Sequence, residues 1–306
     1  MDTWSLFALL TVFAWGGSDL FSKMGSKRED IYSHWKMVIA VGFVMGIHAV
    51  MQLLTVDEAY SIAHFVKYLP VSLLYILAMV LGYAGLRYLE LSVSSPVCNA
   101  SGAIAMILFL VLMGETMTSL QAVAVTLVCV GVLLLAVFEK VDADKLRTLE
   151  KVKPDTKYIT GAVAIFLPIL YAFIDGVASF LDGLVLDGMY ADYGWALSEY
   201  EANISYELTF LACALGALFY LLAVKKQKIR LWDERPKFIG ALCETAGQFT
   251  YVYAMADTPV LAAPMIASYS VMSAILSHIF LKERLSAKYY PVILLVMAGI
   301  FILGME

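Results

Sequence analysis

Ten long apolar runs constrain this chain more than any other feature. They lie near residues 3–24, 34–54, 65–88, 93–113, 119–138, 158–181, 203–224, 237–256, 260–281 and 287–304. Each is about as long as the 17–25 residues a membrane-spanning helix needs. None alternates as barrel strands do. Only 15% of the residues are charged, where a soluble domain carries about a quarter, so the excess apolar surface must face lipid. The expected fold is an all-α integral membrane protein with ten transmembrane helices. The first run is longer than the apolar core of a cleaved signal peptide and lacks a basic start, so it reads as the first spanning helix. Cys98, Cys129, Cys213 and Cys243 all fall inside apolar runs and read as reduced packing residues.

Charge placement sets the expected orientation. Assigning each Lys and Arg to its nearest helix end puts 20 of the 21 basic residues in the loops after odd-numbered helices, leaving only Lys67 for the other side. Cytoplasmic loops are rich in Lys and Arg. The odd loops are therefore expected in the cytoplasm and both termini outside, in a plasma (inner) membrane. The loop after the sixth run has no basic residue but carries Asp187, Asp192, Glu199 and Glu201.

The chain repeats itself. A shift of 168 places Tyr83 on Tyr251, Pro96 on Pro264, Glu115 on Glu283 and Gly131 on Gly299. The repeat unit holds five helices, and an odd number inverts the second copy relative to the first. Inverted repeats mark secondary transporters, with the solute site near mid-membrane between the halves. The expected division is a first repeat over 1–138, a charged link over 139–157 and a second repeat over 158–306, with an acidic insertion at about 183–202. Pro96 and Pro264 are expected in the first turn of their helices, where a missing N–H does no harm. Glu115 and Glu283 read as interfacial carboxylates capping the next helix start.

The stretch YAMADTPVLAAPMIASYSVMSAILSHIFLKERLSAKYYPVILLVMAGIFIL resembles the second repeat of the drug/metabolite transporter superfamily, EamA type. The family carries a similar run of small residues and proline, a Gly-Glu-Arg-like turn and a Gly-containing last helix. The turn here is MGETM in the first half and LKERL in the second, so each copy departs slightly. The opening FAWGGSDLFSK resembles the family's first helix, with Trp15 and Lys23 at positions the family shares. The resemblance covers essentially the whole chain and implies a ten-helix exporter or importer of small metabolites. It also implies cytoplasmic termini in many members, against the basic-residue count. The count is followed.

Acids inside the apolar runs are the candidate site, because an intramembrane charge is costly and marks a solute or ion path. Aligning FAWGGSDLF with LYAFIDGVA, at an offset of 156, puts Trp15 on Tyr171 and Asp19 on Asp175. Each half then offers an aromatic followed one turn later by an aspartate. In inverted repeats the two aspartates fall at opposite depths, one acidic gate on each side. Asp19 has Lys23 four residues on, so a local ion pair is the competing reading. Asp175 has no basic neighbour at helical spacing. Glu244 lies two turns into the eighth run, with Gln248 on the same face and Tyr251 beyond. A carboxylate beside aromatics can hold an organic cation or carry a proton, or it can simply pack helices. The candidate substrate residues are thus Trp15, Asp19, Tyr83, Tyr171, Asp175, Glu244, Gln248 and Tyr251, with Asp175 and Glu244 as proton-coupling candidates. Tyr75, Phe249 and Tyr269 are further pocket candidates, His48, Asn99 and His278 weaker ones, and Gly42 and Gly46 a close helix contact.

The expected function is secondary active transport of a small organic solute by alternating access, leaning to an amine or quaternary ammonium compound. Export of neutral or aromatic amino acids and carriage of a sugar are the alternatives, and a membrane enzyme acting on a lipid headgroup is a remote one. The partners expected are the solute, the lipid bilayer and, as coupling ion, the proton. No G-x-x-x-x-G-K-[ST] phosphate loop is present, so no nucleotide is expected. Neither metal nor cofactor nor nucleic acid is expected, nor is the chain expected to be an enzyme.

Overall fold

The computed structural model describes residues 3–26, 30–87, 91–149, 159–186, 196–282 and 287–303. These form α1 (Thr3–Gly25), α2 (Ser33–Thr55), α3 (Ile62–Gly85), α4 (Leu91–Cys98), α5 (Ser101–Leu112), α6 (Ser119–Leu149), α7 (Ile159–Val185), α8 (Glu199–Phe219), α9 (Arg235–Asp257), α10 (Pro259–Ala267), α11 (Tyr269–Phe280) and α12 (Tyr289–Leu303). The twelve segments make ten spans, because α4 with α5 and α10 with α11 are each one span broken in the middle. Six spans are long and apolar enough to cross a bilayer on length and composition alone. Phe13, Leu54, Val111, Phe166 and Leu294 are exposed, part of an apolar surface far larger than water tolerates. Backbone groups satisfied within each helix are what a bilayer demands. The protein is an integral, multi-pass membrane protein of two inverted five-helix repeats.

The broken spans correct one expectation. Pro96 and Pro264 do not start helices: each is the sixth residue of its segment, α4 or α10. Each helix begins five residues earlier, at Leu91 or Pro259, and stops shortly after its internal proline, which removes one backbone donor and strains the preceding turn. Local hydroxyl and amide bonds hold the breaks. Asn99 Nδ2 donates to the Ser95 carbonyl at 2.8 Å, and Ser268 Oγ donates to the Met265 carbonyl at 2.6 Å. The charged link also differs from a plain joint, because α6 continues as helix to Leu149. Glu283 lies outside the described residues.

Packing obeys the repeat. Helices α5 and α11 start and end 168 residues apart, the same shift that aligns the sequence halves. Helix α1 packs on α9 and α11, and its counterpart α7 packs on α3 and α5. Helices α2 and α8 pack on each other, as do α6 and α12. At the α6–α12 crossing, a methyl group on Gly131 would lie 2.2 Å from Val296 Cγ2, and one on Gly299 2.8 Å from Val128 Cγ2. The same exchange of partners by 168 relates these two contacts. Gly42 and Gly46 do form a close contact, against Phe210 and Leu211 of α8.

Candidate substrate cavity

The α1–α9 and α3–α7 pairs enclose a cavity of about 950 Å³, open solvent at its mouth included, completed by the broken spans. All eight residues expected to bind solute line it: Trp15, Asp19, Tyr83, Tyr171, Asp175, Glu244, Gln248 and Tyr251. Tyr75 and Tyr269, weaker candidates, line it as well. Phe249 does not, and instead stands edge-on to His48 with ring centroids 5.7 Å apart.

Serines hold the acids in place. Asp19 Oδ2 accepts from Ser95 Oγ at 2.6 Å and Ser273 Oγ at 2.7 Å, which ties α1 to both broken spans. The Lys23 ammonium donates to the Leu86 carbonyl at 3.1 Å. Asp19 therefore rests in a hydroxyl shell rather than depending on its helical neighbour. Glu244 Oε2 accepts from Ser18 Oγ at 2.7 Å across the α1–α9 contact. Asp175 accepts from the Ser101 and Tyr171 side chains. Among the described residues no Lys, Arg or His lines the cavity, which its three carboxyls share with the aromatic walls.

Those walls are packed at ring-contact distance. Trp15 lies 5.0 Å from Tyr251 and 5.6 Å, edge-on, from Tyr269. Only a glycine fits behind it, since a methyl group on Gly247 would lie 2.3 Å from Trp15 Cδ1. Tyr75 and Tyr251 share a hydroxyl hydrogen bond of 2.6 Å. Trp15 Nε1, Tyr83 Oη and Gln248 Nε2 are buried with no hydrogen-bond partner among the described residues. Buried polar atoms are normally satisfied, so three unsatisfied ones around a single cavity mark where a solute or water belongs.

Asp19 and Asp175 both line this one cavity. One expectation about them needs correction, because they are not equivalent in the repeat. Gly82 faces Tyr171, and its mate across the shift of 168, Thr250, bonds Thr11 at 2.8 Å. Gly85 faces Leu167, and its mate Tyr253 stacks on Phe7. Gly176 faces Ile104, while Gly16 faces Met272. Every pair relates α1 to α7 by an offset of 160, so Asp19 corresponds to Ser179 and Trp15 to Asp175. Matching Trp to Tyr and Asp to Asp slipped the alignment by four residues, about one turn, which keeps the helix face but not the depth.

Two buried acids escaped the sequence reading. Asp182 and Glu207 are both fully buried. Asp182 falls just past the apparent end of the sixth run at 181, and Glu207 just inside the start of the seventh at 203. The helices extend beyond those runs, to Val185 and back to Glu199. Glu207 Oε1 pairs with His48 Nδ1 at 2.7 Å across the α2–α8 contact. Tyr206, Ser95 and Ser273 were missed too, because isolated serines and aromatics are common in apolar helices and gain meaning only from what they face.

No curated protein matches the chain at a significant level. A solved crystal structure, titled only as that of a protein, shares its fold at a TM-score of 0.63 and 13% identity, covering 99% of this chain and 96% of its own. The model of the EamA-like transporter family matches residues 2–137 and 195–305. With both halves of the chain matched, it belongs to the EamA-like transporter family, within the drug/metabolite transporters.

Proposed function

We propose that this transporter carries a small organic cation, an amine or quaternary ammonium compound, by alternating access in exchange for protons. The observation that carries this reading is the grouping of Asp19, Asp175 and Glu244 in one aromatic-walled cavity without a lining cation. A desolvated carboxylate favours a positive partner, and aromatic faces attract ammonium groups at up to about 2 kcal/mol each when dry. Asp175 and Glu244 bind the positive group of the solute, and protons compete with the solute for them. The repeats are residues 1–138 and 158–306 about the link 139–157, with the acidic insertion at about 183–202. The 20-to-1 bias of basic residues supports cytoplasmic odd-numbered loops and external termini in a plasma (inner) membrane.

A second reading has its own support. Trp15 Nε1 and Gln248 Nε2 are unpaired donors and suit a solute that also offers an acceptor, such as the carboxylate of a neutral or aromatic amino acid or the hydroxyls of a sugar.

Thermal unfolding of the purified protein in detergent separates the two. A ligand that binds only the folded state at a hundredfold excess over its Kd adds about 2.7 kcal/mol. The proposal expects choline or putrescine to raise the melting temperature, and Asp175→Asn or Glu244→Gln to lose that rise. A rise with neutral amino acids or sugars alone, retained in both variants, overturns it.

A further inference from the structure

Helix α7 carries a second acid that the cavity does not use. Asp182 sits one turn beyond Ser179, the last cavity-lining residue of that helix, and is itself 0% exposed. The Tyr68 hydroxyl donates to its Oδ1, and the Tyr75 hydroxyl also reaches the carboxyl, while Oδ2 has no partner at full hydrogen-bond geometry among the described residues. Every ionisable group near it is a neighbour of known kind. Helix α3 presents Tyr68 and Tyr75 to it and α9 Tyr251, and beyond these Tyr206 of α8 stands near Tyr68 and Asp175 of α7 near Tyr75. Helix α4 offers only Cys98, and α5 and α10 carry no ionisable residue. No cation faces Asp182 among the described residues, so an ion pair there does not explain it. Hydroxyls are its only close polar partners, and a hydroxyl can accept from a protonated carboxyl as well as donate to an ionised one.

A row of polar side chains leads from this acid towards both the cavity and the end of the bundle, with the Ser72 hydroxyl in it unpartnered among the described residues. His64, Tyr68, Ser72 and Tyr75 recur at helical spacing on one face of α3, spanning roughly 16 Å at 1.5 Å per residue. At the outer end, His64 pairs with Glu201 at 3.0 Å, both of them partly accessible. At the inner end, the Tyr75 hydroxyl donates to Ser179 Oγ at 3.2 Å and bonds the Tyr251 hydroxyl at 2.6 Å. Ser179, Tyr75 and Tyr251 all line the cavity.

We infer that Asp182 is a proton-binding station separate from the solute acids, loaded through the His64–Tyr68 file and unloaded through Tyr75 and Tyr251 into the cavity. This rests on the proton-exchange reading above and adds to it a proton site that the solute does not contest. In each cycle one proton enters from the solution at the α3 N-terminal end, occupies Asp182, passes to cavity water and leaves on the opposite side. One solute moves the other way, and no bond but the proton's own is made or broken.

Two measurements test it on the full-length protein. The first is the pH-difference infrared spectrum in detergent, which reads carboxyl protonation directly and needs no solute. A carboxyl C=O band present in the parent and in Asp19→Asn, but missing in Asp182→Asn, is the expected result. Spectra of Asp182→Asn that retain every parental band overturn the proposal. If that variant does not fold, Tyr68→Phe decides: a shifted band supports the station, an unshifted one overturns it. The second is choline uptake into liposomes under an imposed pH gradient. Asp182→Asn should lose at least tenfold of the gradient-driven accumulation while choline still raises its melting temperature. Accumulation within twofold of the parent overturns the proposal. A parent that neither binds nor moves choline or putrescine sinks the cation reading and leaves the infrared result to decide Asp182.

Discussion

Gly247→Ala should disable the cavity through Trp15 alone. The added methyl would lie 2.3 Å from Cδ1, 2.5 Å from Nε1 and 3.0 Å from Cγ of that ring. Ordinary carbon contacts begin near 3.5 Å, so the indole must retreat by about 1 Å. It has little room, with Tyr251 5.0 Å and Tyr269 5.6 Å from its centroid. Overpacking of this kind costs about 1–3 kcal/mol. If Trp15 forms part of the binding wall, solute affinity falls by a comparable amount, roughly 5- to 150-fold at 1.4 kcal/mol per tenfold. The assay is thermal unfolding in detergent, with and without the best ligand of the panel, on Gly247→Ala and on the double variant with Trp15→Ala. Removing the indole removes the clash, so the double variant should be less impaired in stability than the two single effects combined. A Gly247→Ala protein with parental stability and affinity would refute the reasoning, because it would mean that the ring moves freely and defines no wall.

Three further outcomes follow from contacts elsewhere in the bundle. Gly299→Ala should destabilise more than Gly131→Ala in thermal unfolding, because its methyl meets the Ala124 backbone carbonyl oxygen at 2.7 Å, whereas that of Gly131 meets the movable Val296 side chain. His48→Phe strips fully buried Glu207 of its partner and should cost about 1–3 kcal/mol in the same assay, and the double variant with Glu207→Gln should recover part of it. The Asp30 carboxyl, between α1 and α2, is pushed up by partial burial. The hydrogen bonds from Lys36 and the Tyr32 N–H, with the charges of Lys36 and Lys237, outweigh that and hold it below the usual carboxylate range. A depressed folded value gives stability that is present above the unfolded value and lost as pH falls through the folded one. The stability gap between parent and Asp30→Asn should therefore be open at pH 7 and close in the acid range below about 4.

The resemblance between Pro96 and Pro264, or Gly131 and Gly299, was visible in the sequence because backbone demands are local and a repeat preserves them. So was the membrane class, since apolar length alone answers to bilayer thickness. The intramembrane acids Asp19, Asp175 and Glu244 were also legible, as costly residues in apolar surroundings. Asp182 was not, because an apolar run measures hydropathy and a helix can outlast it; Glu207, inside the seventh run, was passed over, its burial being set by the packing of α2 on α8. The one-turn slip between α1 and α7 has a similar cause: two chemically alike residues outvoted a register that only interhelical contacts define.

By itself, then, the sequence determined the solvent, the ten spans, the twofold repeat and which side chains were too polar to lie there without purpose. Tertiary structure decided which of those side chains meet. Hydropathy and backbone preference act along the chain and survive in a one-dimensional reading. The meeting of Asp19, Asp175 and Glu244 in one cavity depends instead on the depth at which α1, α7 and α9 cross. Contacts such as Gly247 on Trp15 and Gly176 on Ile104 set that depth, through steric fit between residues far apart in the chain.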